Sequence, residues 1–245
     1  MTKYALLIGI NYKGTPQALR GCINDVLNMR KYLIEQRGYK EENIRVLSEE
    51  EGAKPTGPNI KHELSKLILN SHSKEADEIW LHYAGHGSST RDLDGDEDDG
   101  KDETIVPLDF RQNGMITDDE LHDYLEHLPK KCRMYCIFDC CHSGTILDLK
   151  YQYKGNSRNG IENPKAPIKG DVIMISGCMD RQTSADAKIN NKWCGAMTNS
   201  YIKCIKNGIT CEQLLNDMRE CLKKGGYSQY PQMCCSSSIT NKQLW

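Results

Sequence analysis

Runs of apolar residues alternate along this chain with longer amphipathic stretches, and their lengths switch regularly between those of strands and those of helices. Residues 4–10 form a short apolar run that reads as a strand. A loop through Gly14 and Pro16 leads to a helix over about 24–37, with Val26, Leu27, Met29, Tyr32 and Leu33 on its apolar stripe and Gly38 placed to end it. Residues 44–47 read as a second strand. Pro58 fits the first turn of a helix reaching Leu69, which turns Leu64, Leu67 and Ile68 inward. A strand from Ile79 follows, then a short strand over 104–108. Thr117-Asp118-Asp119-Glu120 has the form of a capping box opening a helix to about Leu128. From Met134 to Phe138 the side chains are apolar or aromatic almost continuously, as in a strand covered on both faces. Residues 151–170 break this rhythm with Gly155, Asn156, Ser157, Asn159, Gly160, Asn163 and Pro164, and read as an exposed linker. Beyond it we expect a strand over 171–176, helices over 196–206 and 211–223, and a last strand over 232–236 that closes the sheet. Strand–helix alternation of this kind predicts an α/β fold with a mostly parallel sheet and helices on both faces.

Two of these strands end in reactive side chains. In Cys136-Ile137-Phe138-Asp139-Cys140-Cys141-His142-Ser143-Gly144 the apolar run stops at an acid, two thiols and a small-residue turn. Open α/β sheets place their crevices outside the carboxyl ends of the strands, so Cys140 and Cys141 are candidate nucleophiles. A thiol nucleophile needs a base. The stretch Glu78-Ile79-Trp80-Leu81-His82-Tyr83-Ala84-Gly85-His86-Gly87-Ser88 supplies one in His86, whose flanking glycines free the backbone to project it into a cleft. His142 adjoins the doublet, but neighbouring side chains on an extended segment diverge, and we read it as structural. His62, His72, His122 and His127 read as surface residues, and His82 as a core histidine.

Composition narrows the picture. A chain of 245 residues suits one domain with a sizeable core, or at most two. The net charge of −2 argues against a nucleic-acid binder. A mean hydropathy of −0.65, and an N-terminal apolar run too short to span a bilayer and lacking a signal-peptide cleavage site, lead us to expect a cytoplasmic monomer with no membrane segment. The twelve cysteines follow no regular framework and are expected to be reduced, many of them buried. Cys132, Cys136, Cys140 and Cys141 are close enough in sequence to raise zinc. No CxxC pair occurs, however, and alternate strand residues face opposite ways.

"HYAGHGS" and "FDCCHSG", with "LRGCINDV" before them and "SGCMDRQTSADA" after, resemble the metacaspase family of cysteine peptidases, and the likeness runs from about Lys3 to the C-terminus. The 55 residues from His86 to Cys141 are close to the roughly 50-residue separation in caspases, whose own cysteine signature is absent here. The resemblance implies a caspase-like three-layer α/β/α sandwich, in a member without an N-terminal prodomain. Residues 1–150 would be the large-subunit-like region, 151–170 the linker and 171–245 the small-subunit-like region, together one catalytic domain. It selects Cys141 over Cys140 as nucleophile and His86 as general base, with backbone amides near Gly87 and Cys141 as oxyanion donors. It also implies autocleavage in the linker region, where Lys150 at its border and Lys154, Arg158, Lys165 and Lys169 within it offer basic sites.

The same resemblance implies protein or peptide substrates cut after Arg or Lys. A pocket for a basic side chain needs carboxylates at its base, and the family's positions match Asp25 and Asp139, with Cys22 in the wall and Asp186 helping to shape it. Taken alone, Asp25 would be an ordinary acid at a helix N-terminus. Ala84 stands where many relatives carry serine, which removes one hydrogen bond of ~0.5–1.5 kcal/mol. The acidic stretch from Asp92 to Glu103 is not an EF-hand, because a loop begun at Asp92 or Asp94 puts Glu97 or Asp99 where glycine is required. What the family implies instead is a Ca²⁺ site at Asp102, Asp118, Asp119 and Asp148. The competing reading is a catalytically silent caspase-fold module that binds partners through an acidic, calcium-binding surface.

Overall fold

The structure, a computed structural model, describes residues 2–73, 76–92, 100–141, 145–153, 161–162, 168–177, 186–189, 192–238 and 243–244. In chain order the elements are β1 (Lys3–Gly9), α1 (Cys22–Arg37), β2 (Ile44–Ser48), α2 (Gly57–Ser73), β3 (Glu78–Ala84), β4 (Gly87–Arg91), β5 (Lys101–Ile105), α3 (Phe110–Asn113), β6 (Ile116–Thr117), α4 (Asp118–Glu126) and β7 (Arg133–Asp139). They continue as β8 (Tyr151–Tyr153), β9 (Ile161–Glu162), β10 (Asp171–Ser176), β11 (Asp186–Ile189), β12 (Lys192–Gly195), α5 (Ala196–Cys204), α6 (Cys211–Lys224) and β13 (Gln232–Cys235).

Eight strands form the central sheet in the order β2-β1-β3-β7-β10-β13-β8-β9. The first five run parallel, and β13 is antiparallel to β10. This is the three-layer, mostly parallel α/β arrangement of caspases. Period-two alternation sends each strand's side chains to two separate cores. Leu6, Ile8, Ile79, Leu81, Tyr83, Met134, Cys136 and Phe138 face α2 and α4, while Ala5, Leu7, Trp80, Tyr135 and Ile137 face α1, α5 and α6. Trp80, Tyr83 and Phe138 are fully buried, so truncating any one to alanine would cost about 3–5 kcal/mol.

Local signals account for several boundaries. Gly38 takes the left-handed conformation (φ 67°) and its N–H caps Leu33, which ends α1. Thr117 and Glu120 form the expected capping box of α4. Other boundaries differ from expectation. Tyr151–Tyr153 and Ile161–Glu162 lie within the stretch read as exposed linker, yet both are strands of the central sheet, and Gln152 and Tyr153 are buried. Because β8 pairs with β13, the last strand is interior rather than the closing edge. His122 is also buried, and its Nδ1–H donates to the Leu147 carbonyl at 3.0 Å, which overturns its reading as a surface residue. His82 is fully buried, in keeping with a core role. Among the described residues no helix is long and apolar enough to cross a membrane.

Candidate active site

β3 and β7 are neighbours in register, with Ala84 opposite Asp139, so the loops that follow them leave the sheet side by side. Gly87 makes their close approach possible. A Cβ built there would lie 1.8 Å from the Cys141 carbonyl oxygen and 3.3 Å from Cys140 Sγ, so only glycine fits. His86 and Cys141 are therefore held on touching loops. Cys141 is half-buried, whereas Cys140 is fully buried and packs in the core. His142, Ser143 and Gly144 lie outside the described residues.

The histidine is held by groups that the sequence did not mark. Its Nε2 lies 2.6 Å from the Gln17 carbonyl, and since a carbonyl can only accept, Nε2 carries the proton and Nδ1 is the basic nitrogen of the neutral ring. Two tyrosines grip the backbone of the same residue. The His86 N–H donates to Tyr12 Oη at 3.0 Å, and Tyr83 Oη donates to the His86 carbonyl at 2.7 Å. The Tyr12 ring also packs on the imidazole, with centroids 4.6 Å apart. Tyr12 has φ 50°, a strained conformation for a bulky residue. It turns successive N–H groups of Asn11, Tyr12 and Lys13 toward one carboxylate, that of Glu49, at 2.5, 3.1 and 2.7 Å. This anion nest fixes the loop that carries Gln17.

Asp25 and Asp139 meet at the N-terminus of α5. Gly195 donates its N–H to both Asp25 oxygens at 2.9 and 2.8 Å, and Asp139 Oδ2 accepts from Thr198 N at 2.9 Å and from Thr198 Oγ1 at 2.8 Å. Both acids are almost fully buried. A Cβ on Gly195 would fall 2.1 Å from Asp139 Oδ2 and 2.7 Å from Asp25 Oδ2, so the two carboxylates converge on that glycine. Ala84 is buried beside Asp139, and Cys22 opens α1 with its N–H on Asn11 Oδ1. The backbone of Asp186 lies across from Gly195 in the β11–β12 hairpin. Cys178 and Asp180, within the "SGCMDRQTSADA" stretch that carries part of the family resemblance, lie outside the described residues.

At the other end of β5, carboxylate oxygens of Asp102, Asp118 and Asp119 lie within 4.8 Å of one another. Burial, with the neighbouring Asp102 charge, holds the Asp118 carboxyl up at about 6, against N–H bonds from Glu103 and Asp119 that pull it down. Asp148 is not one of this trio. It is buried with φ 44° on a loop that is tied back through Thr145 to the buried Glu103 carboxylate. Residues 93–99 of the acidic stretch lie outside the described residues.

A parallel sheet that presents a histidine loop and a cysteine loop from adjacent strand ends defines a caspase-like protein. In keeping with that, the fold matches caspase-1 from Spodoptera frugiperda with a TM-score of 0.61 at 13% identity, covering 97% of this chain and 87% of that one. It also matches a Geobacter sulfurreducens protein of solved structure with a TM-score of 0.67 at 24% identity, covering 96% and 93%. The chain belongs to the metacaspase family of cysteine peptidases. The family model for the metacaspase, peptidase C14 domain matches residues 3–150. Metacaspase-1 of Scheffersomyces stipitis is 37% identical over 96% of this chain and 70% of its own length. Metacaspase-1 of Cryptococcus neoformans is 39% identical over 99% of this chain and 64% of its own length.

Proposed function

We propose that this chain is a Ca²⁺-dependent cysteine endopeptidase that cleaves protein or peptide substrates after Arg or Lys. The observation that carries this reading is the meeting at one sheet edge of the touching His86 and Cys141 loops with Asp25 and Asp139, which converge on Gly195. A basic side chain docks against the two carboxylates, and bidentate pairing favours arginine over lysine. His86 Nδ1 takes the proton of Cys141 Sγ, and the sulfur attacks the carbonyl carbon. As the C–N bond breaks, the imidazolium returns that proton to the leaving amine, and water hydrolyses the thioester. N–H groups at Gly87 and Cys141 serve the oxyanion.

Asp102, Asp118 and Asp119 offer a cluster of hard oxygen donors of the kind Ca²⁺ takes, with the Asp118 carboxyl raised first by its burial and further by the Asp102 charge beside it. A bound Ca²⁺ would neutralise that charge and brace the start of β5 against the first turn of α4. Asp148 and Glu103 are the further oxygen donors nearby in the chain path. Autocleavage within 150–169 belongs to the same reading. Lys169 is exposed there, while Lys150 stacks on Tyr151 at 5.3 Å from the ring centroid.

Fluorogenic peptides ending in Arg, Lys or Asp, assayed with Ca²⁺ or chelator for the chain and for Cys141→Ala, test the reading directly. Calcium-dependent release after Arg or Lys that the substitution abolishes is the expected result. No turnover by folded, reduced, calcium-loaded protein would favour the silent binding module, and release after Asp alone would refute the acidic pocket.

A further inference from the structure

Against His86, with its apolar wall on the core of the sheet face opposite the two acids, lies a cavity of about 450 Å³ that the chemistry above leaves unused. His86 and Gly87 form part of its wall. Val106, Leu108, Phe110 and Met115 supply its apolar wall, and polar residues including Arg111 and Gln112, with the 12–17 loop, complete the lining. Its volume lies within the range of sites that enclose a ligand group. Leu108, Phe110 and Met115 are only partly buried, so their apolar surface faces the cavity while their backs rest on the core shared by α2 and α4. The acid pair sits on the other face of the sheet, among residues of α1 and α5.

Peptide polarity follows from this placement. The residue before the scissile bond points to Asp25 and Asp139, and Cys141 attacks its carbonyl. His86 must then reach the nitrogen of the residue that leaves, so whatever lies beyond His86 belongs to the leaving segment. Resting on the peptidase reading above, we infer that this cavity is the subsite for the first residue after the scissile bond, and that it takes a large apolar side chain, such as leucine or phenylalanine. Arg111 stands exposed at its rim, with its guanidinium 5.8 Å from the Phe110 ring centroid, and opposes a second basic residue there. The site thus reads two residues of opposite character, basic before the bond and apolar after it.

Internally quenched peptides that share one sequence up to an arginine, followed by Leu, Phe, Gly or Lys, test this against the calcium-loaded full chain. Leu and Phe should exceed Gly in kcat/KM by about 10-fold, the discrimination of a hydrophobic pocket, and Lys should fall below Gly. Phe110→Ala should bring the Leu-to-Gly ratio toward one, because it removes the apolar surface on which the Leu side chain would rest. Gln112→Trp, at an exposed position lining the cavity, should also collapse the ratio by filling it, which guards against a folding defect in the first variant. Equal rates for Leu and Gly, or a preference that survives both variants, would overturn the assignment while leaving the peptidase reading intact. No cleavage of any peptide would overturn both.

Discussion

His86 gives its Nε2 proton to the main-chain carbonyl of Gln17 at 2.6 Å, a contact that spans 69 residues of sequence and sets which imidazole nitrogen is basic. Behind Gln17 stands the Glu49 carboxylate, which collects the N–H groups of Asn11, Tyr12 and Lys13. The proposed base is therefore positioned through Gln17's loop by the Glu49 carboxylate, which bonds that loop's N–H groups.

Glu49→Ala should leave those three N–H groups without their acceptor and let Tyr12 relax from its positive φ, loosening the 11–19 loop. Misplacing a catalytic group by about 1 Å can cost on the order of 100-fold, so we expect kcat to fall roughly 10- to 100-fold. KM should hold, because Asp25 and Asp139 are anchored separately on α5. A variant with unchanged kcat, or one in which KM alone rises, would remove Glu49 from this role.

The cysteine doublet should divide cleanly between chemistry and packing. Cys140 is fully buried and inert, whereas Cys141 is within reach of solvent. Cys141→Ala should abolish both turnover and rapid alkylation at the site with little change in melting temperature. Cys140→Ala should retain turnover and lose about 1 kcal/mol of stability, the usual size of a core truncation of this kind. Urea unfolding and timed iodoacetamide labelling of the two variants give the comparison, and the opposite pattern would exchange their roles.

Gly195 lies where Asp25 and Asp139, the acids of the proposed pocket, come together. An alanine methyl there would collide with both carboxylates, and aspartate side chains are too short to swing clear without breaking their bonds to Gly195 and Thr198. Gly195→Ala should raise KM for arginine peptides by about 10-fold or more and destabilise the fold by ~1–3 kcal/mol, as overpacking does. Steady-state kinetics on an arginine peptide decides this, since an unaltered KM would show that the acids do not form the base of the pocket.

How much of this was legible in sequence depends on whether side chains or main chain carry the signal. β1, β3, β7 and β10 are sustained apolar runs, and the doublet and the glycine-flanked histidine sit at the ends of two of them. β8 is only three residues, Tyr151-Gln152-Tyr153, too short for its alternation to stand out from the polar stretch after it. β4 reads Gly-Ser-Ser-Thr-Arg and holds its place by pairing with β5, not by apolarity. His122 lies between Asp123 and Leu121 on a helix, and nothing in its neighbours announces the Leu147 carbonyl it meets. Gln17 contributes a backbone oxygen, so its residue type says nothing. Glu49 stands in a run of three glutamates that reads as an ordinary solvated turn.

His82 makes the sharpest pH test, because its surroundings fix its protonation. Thr198 Oγ1 donates to Asp139, so it can only accept from His82 Nε2–H at 3.2 Å. Nδ1 has no hydrogen-bond partner among the described residues. Burial pushes the ring down from 6.5 to about 3, so the folded protein keeps it neutral through the mildly acidic range. The unfolded chain takes up a proton below about 6.5, and between there and about 3 it binds more protons than the native state. Stability from this group is therefore complete above pH 6.5 and is lost as the pH falls, by at most ~1.4 kcal/mol per pH unit. His82→Gln keeps a donor for Thr198 but cannot take up the proton. Its unfolding free energy in urea, measured with chelator at pH 7, 6 and 5, should fall less steeply than that of the unmodified chain. Parallel slopes would mean that His82 takes up its proton over the same pH range in the folded protein as in the unfolded chain, so that burial does not hold the ring neutral.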